Sequence, residues 1–380
     1  MKIAYVTTYD PRDAHAWSGL GNHILRALQD AGAETEAVGP LPEPALGRWV
    51  SRFKRAYYSK VRGQTYMGER EPTTLAGYAR EIQNRLQRLD YEIVFSPGSL
   101  AIARVQSAKP IVFWTDATFA GLQDFYPGYA DLCSDTVKNG HAMEQQALSN
   151  CRLAIYSSEW AASSALEHYE VAREKVKVVP FGPNLFSERD LGAIVGNAAR
   201  KSFARCDLLF LGVDWERKGG EIALAVTELL NRRGLPTTLH LVGCAPPGSL
   251  PVFAVDHGFI SKDSEAGRKH LENLLTDAHF LILPSRADCA PVVFAEASSF
   301  GLPSLATRVG GIPTVIRDGK NGHTFSLKDE PERYCDYIQE LMSAPERYRE
   351  LAASSFREYS ERLNWSTAGR AVLNLLRALR

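Results

Sequence analysis

The sequence predicts an α/β protein made of two doubly wound domains, each with its own parallel sheet. Three observations carry that expectation. Short runs that are apolar on nearly every residue alternate with stretches of helical period, the pattern of strands covered on both faces. The series closes in a Pro- and Gly-rich turn, Val179-Pro180-Phe181-Gly182-Pro183-Asn184, and starts again at Asp207. The 380 residues suit two domains of similar size.

In order, the first domain is expected to hold strands at Ile3–Val6, Ile93–Phe95, Ile111–Trp114, Leu153–Tyr156 and Val176–Val179. The second is expected to hold them at Leu208–Leu211, Leu239–Val242, Phe280–Leu283 and Ser304–Ala306. Helical stretches fall between them, among them Asn22–Ala31 and Glu221–Arg232, and 331–380 reads as helix throughout. The expected domains are residues 1–185 and 205–365. A polar linker from Ser187 joins them, and a helix over 366–380 is able to pack back on the first domain. Such domains place ligands at the carboxyl ends of their strands, in the cleft between them.

Composition narrows the function. Charged residues make up 23% and apolar ones 45%, which excludes a disordered, collagenous or coiled-coil chain. Lys plus Arg equals Asp plus Glu at 44 each, which argues against a surface built to grip nucleic acid. The six cysteines form no C-x-x-C pair, so reduced thiols and a cytoplasmic setting are expected. The opening residues run straight into a strand pattern and carry Asp10, unlike a signal peptide. No apolar stretch is long enough to span a bilayer.

Four groups of residues point to chemistry. Asp288 follows a strand and Glu296 lies eight positions on, inside a helix opening near Pro291. Carboxylates there suit a polyhydroxyl ligand, since their oxygens accept hydroxyl protons. The alternative is a helix cap and a solvated helix residue. Arg217 and Lys218 follow another strand and precede a helix; adjacent cations at that point suit a diphosphate, and the alternative is a solvated helix start. Gly19 and Gly21 precede the first helix without completing a dinucleotide fingerprint, so a plain turn stays open beside ligand contact. Asp116 ends a bulky apolar strand, as a functional acid or as a loop cap.

A fifth feature is the basic segment Arg48–Arg62, with six cations and no acid. Trp49, Phe53, Tyr57 and Val61 recur in it at helical spacing. One reading is a helix that meets an anionic membrane or acceptor, peripheral on the inner face of a membrane. The other is a helix whose apolar stripe packs on the first domain while its cations are solvated.

The second-half motifs, taken as an ordered set, resemble glycosyltransferase family 4, the retaining glycosyltransferases of the GT-B fold. They are Phe210–Gly212, Arg217–Gly220, Leu239–Gly243, the Asp288–Glu296 pair, Gly301-Leu302-Pro303 and Gly310-Gly311. The first half is similar through Trp17–Gly21, Tyr156–Trp160 and Val179–Asn184. The chain departs from the family pattern in places. Asp288 stands where Glu is usual, Cys289-Ala290-Pro291 replaces Gly-Phe-Gly, Val213 stands where many members have Arg, and Asp116 lies near a missing histidine. The resemblance implies two Rossmann-like domains and sugar transfer, with retention, from a nucleotide-diphosphate sugar to a hydroxyl acceptor, a lipid, glycan or small molecule. It implies no metal and no cofactor. Asp116, Arg217 and Lys218 are the expected catalytic residues. Asp288, Glu296, Gly19, Gly243, Ala290, Pro291 and Val292 are the expected donor-binding residues. A non-catalytic nucleotide-sugar-binding subunit and a GT-B epimerase are the alternatives.

Overall fold

The computed structural model describes residues 1–13, 16–185 and 189–379, so Ser187 lies outside the described residues. The chain divides into two compact units, Met1–Pro180 with Trp365–Arg380, and Phe181–Asn364.

The first unit holds six parallel strands: β1 (Lys2–Val6), β2 (Glu34–Val38), β3 (Ile93–Ser96), β4 (Ile111–Thr115), β5 (Leu153–Tyr156) and β6 (Val176–Val178). Their order is β2-β1-β3-β4-β5-β6. Every residue of β3, β4 and β5 is buried, which is why these strands read as unbroken apolar runs. Register follows from that burial, with Val112 opposite Leu153 and Val94 opposite Ile111. The helix Trp365–Arg377 packs on the helix Leu20–Asp30, where Gly369 lies so near Ala27 that an added Cβ would stand 2.3 Å from its carbonyl oxygen.

The second unit repeats the design with β7 (Cys206–Leu211), β8 (Thr237–Val242), β9 (Ala254–Asp256), β10 (Phe280–Leu283), β11 (Ser304–Thr307) and β12 (Gly322–Phe325). Their order is β12-β11-β10-β7-β8-β9, again all parallel. The strand order reverses between β7 and β10 here and between β1 and β3 in the first unit, the places where doubly wound sheets accept ligands. The unit also takes in a helix, Leu191–Arg200, which buries Ile194 and Ala198 against the helix Pro345–Arg362.

Three strands were not expected from the sequence: β2, β9 and β12. All three lie at sheet edges, and β2 and β9 expose most of their side chains, so neither carries an apolar run. The basic segment forms the helix Ala45–Tyr57, continued by a wider turn over Tyr58–Arg62. Its apolar stripe does not pack on the domain. Trp49, Phe53, Tyr57 and Val61 are exposed, and the buried positions are Gly47 and Ser51. Small residues make the inward face, so the large ones turn outward.

Candidate functional site

The second unit gathers its charged residues at the β7/β10 switch point. β7 ends at Leu211, and a tight turn carries the chain to the helix Gly220–Arg232. Asp214 holds that turn: its Oδ1 accepts the Arg217 N–H at 3.1 Å and its Oδ2 accepts from Arg217 Nε at 3.1 Å. Gly219 adopts φ 75°, and a Cβ there would stand 2.1 Å from the Pro284 carbonyl oxygen. Only glycine permits both that conformation and that approach. The turn is thereby pressed against the chain leaving β10.

The two adjacent cations then reach the same loop. Arg217 Nη1 donates to the Ala287 carbonyl at 3.1 Å, and the Arg217 carbonyl accepts the Arg286 N–H at 2.7 Å. Lys218 Nζ lies 2.5 Å from Asp288 Oδ2, with the two side chains only 12% and 6% exposed. Neither cation is the solvated helix start that the sequence also allowed. From the other side the Gly310-Gly311 turn braces the loop, Gly311 N–H donating to the Asp288 carbonyl at 2.9 Å.

Glu296 is likewise not a solvated helix residue. It is 1% exposed within the helix Val292–Ser299, which Pro291 caps. Its Oε1 accepts from Lys262 Nζ at 2.5 Å and from the Asn184 N–H at 3.2 Å. Ala290 and Val292 flank Pro291, with the Ala290 carbonyl taken by the Val292 N–H at 2.9 Å. Gly243 follows β8 at φ 96°, where a Cβ would stand 2.5 Å from the Gly212 carbonyl oxygen. Its glycine is required by that close approach to the end of β7. Asp214, Lys262 and Asn184 were not foreseen; Lys262 and Asn184 lie 34 and 112 positions from the carboxylate they meet. Asn184 closes the Val179–Asn184 motif, but nothing in that motif pointed to Glu296.

In the first unit, Gly19 caps the helix Leu20–Asp30 behind two residues in the left-handed region, Trp17 (φ 49°) and Ser18 (φ 53°). Side chains disfavour that region, so the β1-to-helix turn is strained. Tyr9 joins this turn to Asp116. A Cβ on Gly21 would stand 2.2 Å from the Tyr9 hydroxyl, and burial followed by the Asp116 charge pushes the Tyr9 phenol up to about 12. Asp116 is half-buried just past β4. In the helix Ser134–Asn150, Glu144 is 2% exposed, and its Oε2 accepts at 3.0 Å from the Oγ of Ser99, which follows β3. Burial pushes its carboxyl up to about 7, against the weaker pull of Ser99, Arg70 and the Phe119 N–H. Among the described residues no group of three His, Cys, Asp or Glu side chains is arranged to hold a metal ion.

Residues 20–185 match the family model described as Glycosyltransferase Family 4, and residues 205–344 match that described as Glycosyl transferases group 1. A D-inositol 3-phosphate glycosyltransferase of Corynebacterium aurimucosum is 22% identical over 99% of this chain and 95% of its own length. That of Streptomyces scabiei is 27% identical over 57% of this chain, and that of Frankia alni 28% identical over 62%. The matched region spans only 52% and 60% of those two relatives. Among solved structures, sucrose-phosphate synthase from Thermosynechococcus elongatus covers 100% of this chain and 99% of its own at TM-score 0.69 and 16% identity. Anabaena HepE in complex with UDP-glucose covers 100% of both chains at TM-score 0.62 and 16% identity. This chain, α/β with two parallel six-stranded sheets, shares with those structures the GT-B fold. With one such model matched in each half and a relative matched along nearly the whole chain, the chain belongs to glycosyltransferase family 4.

Proposed function

We propose that this protein transfers a hexose-type sugar, with retention and without a divalent metal, from a nucleotide-diphosphate sugar to a hydroxyl acceptor. The observation that carries the reading is the convergence of Arg217 and Lys218 on the loop 287–288 at the β7/β10 switch point. A lysine ammonium has three donors. Asp288 takes one and fixes its direction, which leaves two for the oxygens of a diphosphate. Arg217 adds a planar cation beside it. As the bond from the anomeric carbon to the phosphate oxygen breaks, negative charge grows on the diphosphate, and preorganised cations stabilise that charge most. The acceptor oxygen bonds to the anomeric carbon, and its proton passes to the leaving phosphate oxygen. Glu296 accepts from the ribose hydroxyls, while Asp288 serves the hydroxyls of the sugar as well as Lys218.

HepE was solved with UDP-glucose, which supports the donor class. Because relatives are named D-inositol 3-phosphate glycosyltransferase, a phosphorylated polyol is one acceptor to assay. The test is release of nucleoside diphosphate from a panel of UDP-, GDP- and ADP-sugars, with and without EDTA. Release from one of them, undiminished by chelator and raised by an acceptor, is the expected result. Loss of release in EDTA that manganese or magnesium restores would overturn the metal-free reading. No release from any donor would overturn the enzyme reading.

A further inference from the structure

The donor site leaves unused the most basic stretch of the chain. The helix Ala45–Tyr57 lies on the helix Pro72–Leu86 and on the turn Gly68–Arg70. Its inward face is made of small residues. A Cβ added on Gly47 would stand 2.4 Å from Thr74 Oγ1, and one on Gly68 would stand 2.4 Å from Ser51 Oγ. Nothing large fits there. Spacings of three and four residues place Leu46, Trp49, Phe53, Tyr57 and Val61 on one outward stripe, 65%, 60%, 70%, 48% and 67% exposed. The rings of Trp49 and Phe53 stack at 6.3 Å and make a continuous apolar crest.

The cations on either side of this crest differ. Lys54 is committed within the unit, paired with Glu71 and Asp135 at 2.8 Å each. Arg62 bonds to Tyr57. Arg48, Arg52, Arg55 and Lys60 are exposed and line a cleft of about 450 Å³ whose single acid is Glu43. None of these four makes an ion pair with another described residue. Like charges gathered at one place repel each other and call for a dense negative partner.

We propose that this helix docks the protein on an anionic lipid surface. The Trp49–Phe53–Tyr57 crest enters the boundary between headgroups and acyl chains, and Arg48, Arg52, Arg55 and Lys60 meet lipid phosphates. Charge complementarity selects the partner. A bilayer with anionic lipid offers dense negative charge and, some 5–10 Å beneath it, an apolar phase for the crest. Tyr and Trp suit that depth because one end of each ring system is apolar and the other polar. A nucleic acid supplies the charge without an apolar phase. The inference does not rest on the sugar-transfer reading, and the two fail separately.

The test is flotation of the full chain with vesicles of phosphatidylcholine, alone or mixed with phosphatidylglycerol, at low and high salt. The wild type is expected to float with the mixed vesicles at low salt, to do so less as salt screens the charges, and to stay behind with phosphatidylcholine alone. Each cation near such a surface is worth about fivefold in partitioning, so Arg48→Gln, Arg52→Gln, Arg55→Gln together lower it about a hundredfold. Trp49→Ser, Phe53→Ser lowers it with all charges intact. Both variants change exposed positions, and a wild-type thermal melt checks that they fold. Failure of the wild type to float, equal flotation with neutral vesicles, or unchanged flotation of the arginine variant would overturn the proposal. A concentration-dependent dimer abolished by Trp49→Ser, Phe53→Ser, without flotation, would overturn it in favour of a second copy of this chain.

Discussion

Asp288 and Glu296 of the second unit are buried, and each has an ammonium against it, Lys218 and Lys262. Glu144 of the first unit is buried to the same degree, yet its close side-chain partner is the hydroxyl of Ser99. Both groups of residues lie past the ends of strands flanking the centre of a six-stranded parallel sheet. The difference is electrostatic. In the second unit, an ammonium stands against each buried carboxylate and offsets its charge. In the first, burial without a close cation drives Glu144 up to about 7, so about half of its carboxyl is protonated at neutral pH. Similar topology thus sets buried carboxylates against ammonium groups in one unit and against a hydroxyl in the other. That contrast is the ground on which the diphosphate is proposed to bind the second unit.

Four measurements break or sharpen the contrast. The largest effect is expected at Lys218. Lys218→Ala should lower turnover by about 10²–10³, the usual loss when a preorganised charge contact in the transition state is removed. It also leaves Asp288 buried without its cation, which destabilises. A Lys218→Met, Asp288→Asn double variant should regain the melting temperature and not the turnover. If it regains turnover, Lys218 serves only Asp288.

Glu144 comes next. Its folded pKa is above its unfolded value, so between about pH 4.5 and 7 the folded state binds more protons than the unfolded one. Stability therefore falls as pH rises through that window, by about 3 kcal/mol if the whole shift is expressed. Denaturant unfolding at intervals across the window reads it, and Glu144→Gln should flatten the curve. A wild-type curve already flat there would remove the contrast between the two edges.

Glu296→Gln keeps the shape of the side chain and removes its charge. One charge-assisted hydrogen bond lost is worth roughly 1.5–3 kcal/mol, on the order of ten- to a hundredfold in donor affinity. Unchanged donor affinity in the folded variant would take the ribose contact away from Glu296. The smallest effect is expected at Arg217, which shares its donors between Asp214 and the Ala287 carbonyl. Arg217→Ala should cost about tenfold in turnover. Adding Val213→Arg to that variant separates two roles. Recovery means that Arg217 supplied charge, and no recovery means that it braces the loop bearing Asp288.

What the sequence disclosed follows from how far each signal travels along the chain. The central strands were legible because β3, β4, β5, β10 and β11 bury every side chain. The edge strand β2 was not, since Glu34 and Glu36 face water. Asp288, Glu296, Arg217 and Lys218 were legible from local spacing. Lys262 and Asn184 were not, because only folding brings them to Glu296. Tyr9 and Glu144 had no motif to betray them, and their character comes from burial. The stripe Trp49, Phe53, Tyr57 was legible as a stripe, but its direction depended on Gly47 and Ser51 filling the inward face. The apolar period alone pointed equally well to packing.

The most direct measurement is calorimetric titration of UDP, GDP and ADP, in EDTA, into the wild-type protein and into Lys218→Met, Asp288→Asn. At least one diphosphate should bind the wild type in chelator, and the double variant should bind it about ten- to a hundredfold more weakly, as expected for a lost charge-assisted contact. Equal binding by the two proteins, or binding to the wild type only when a divalent metal is supplied, would contradict the assignment of the diphosphate to Lys218.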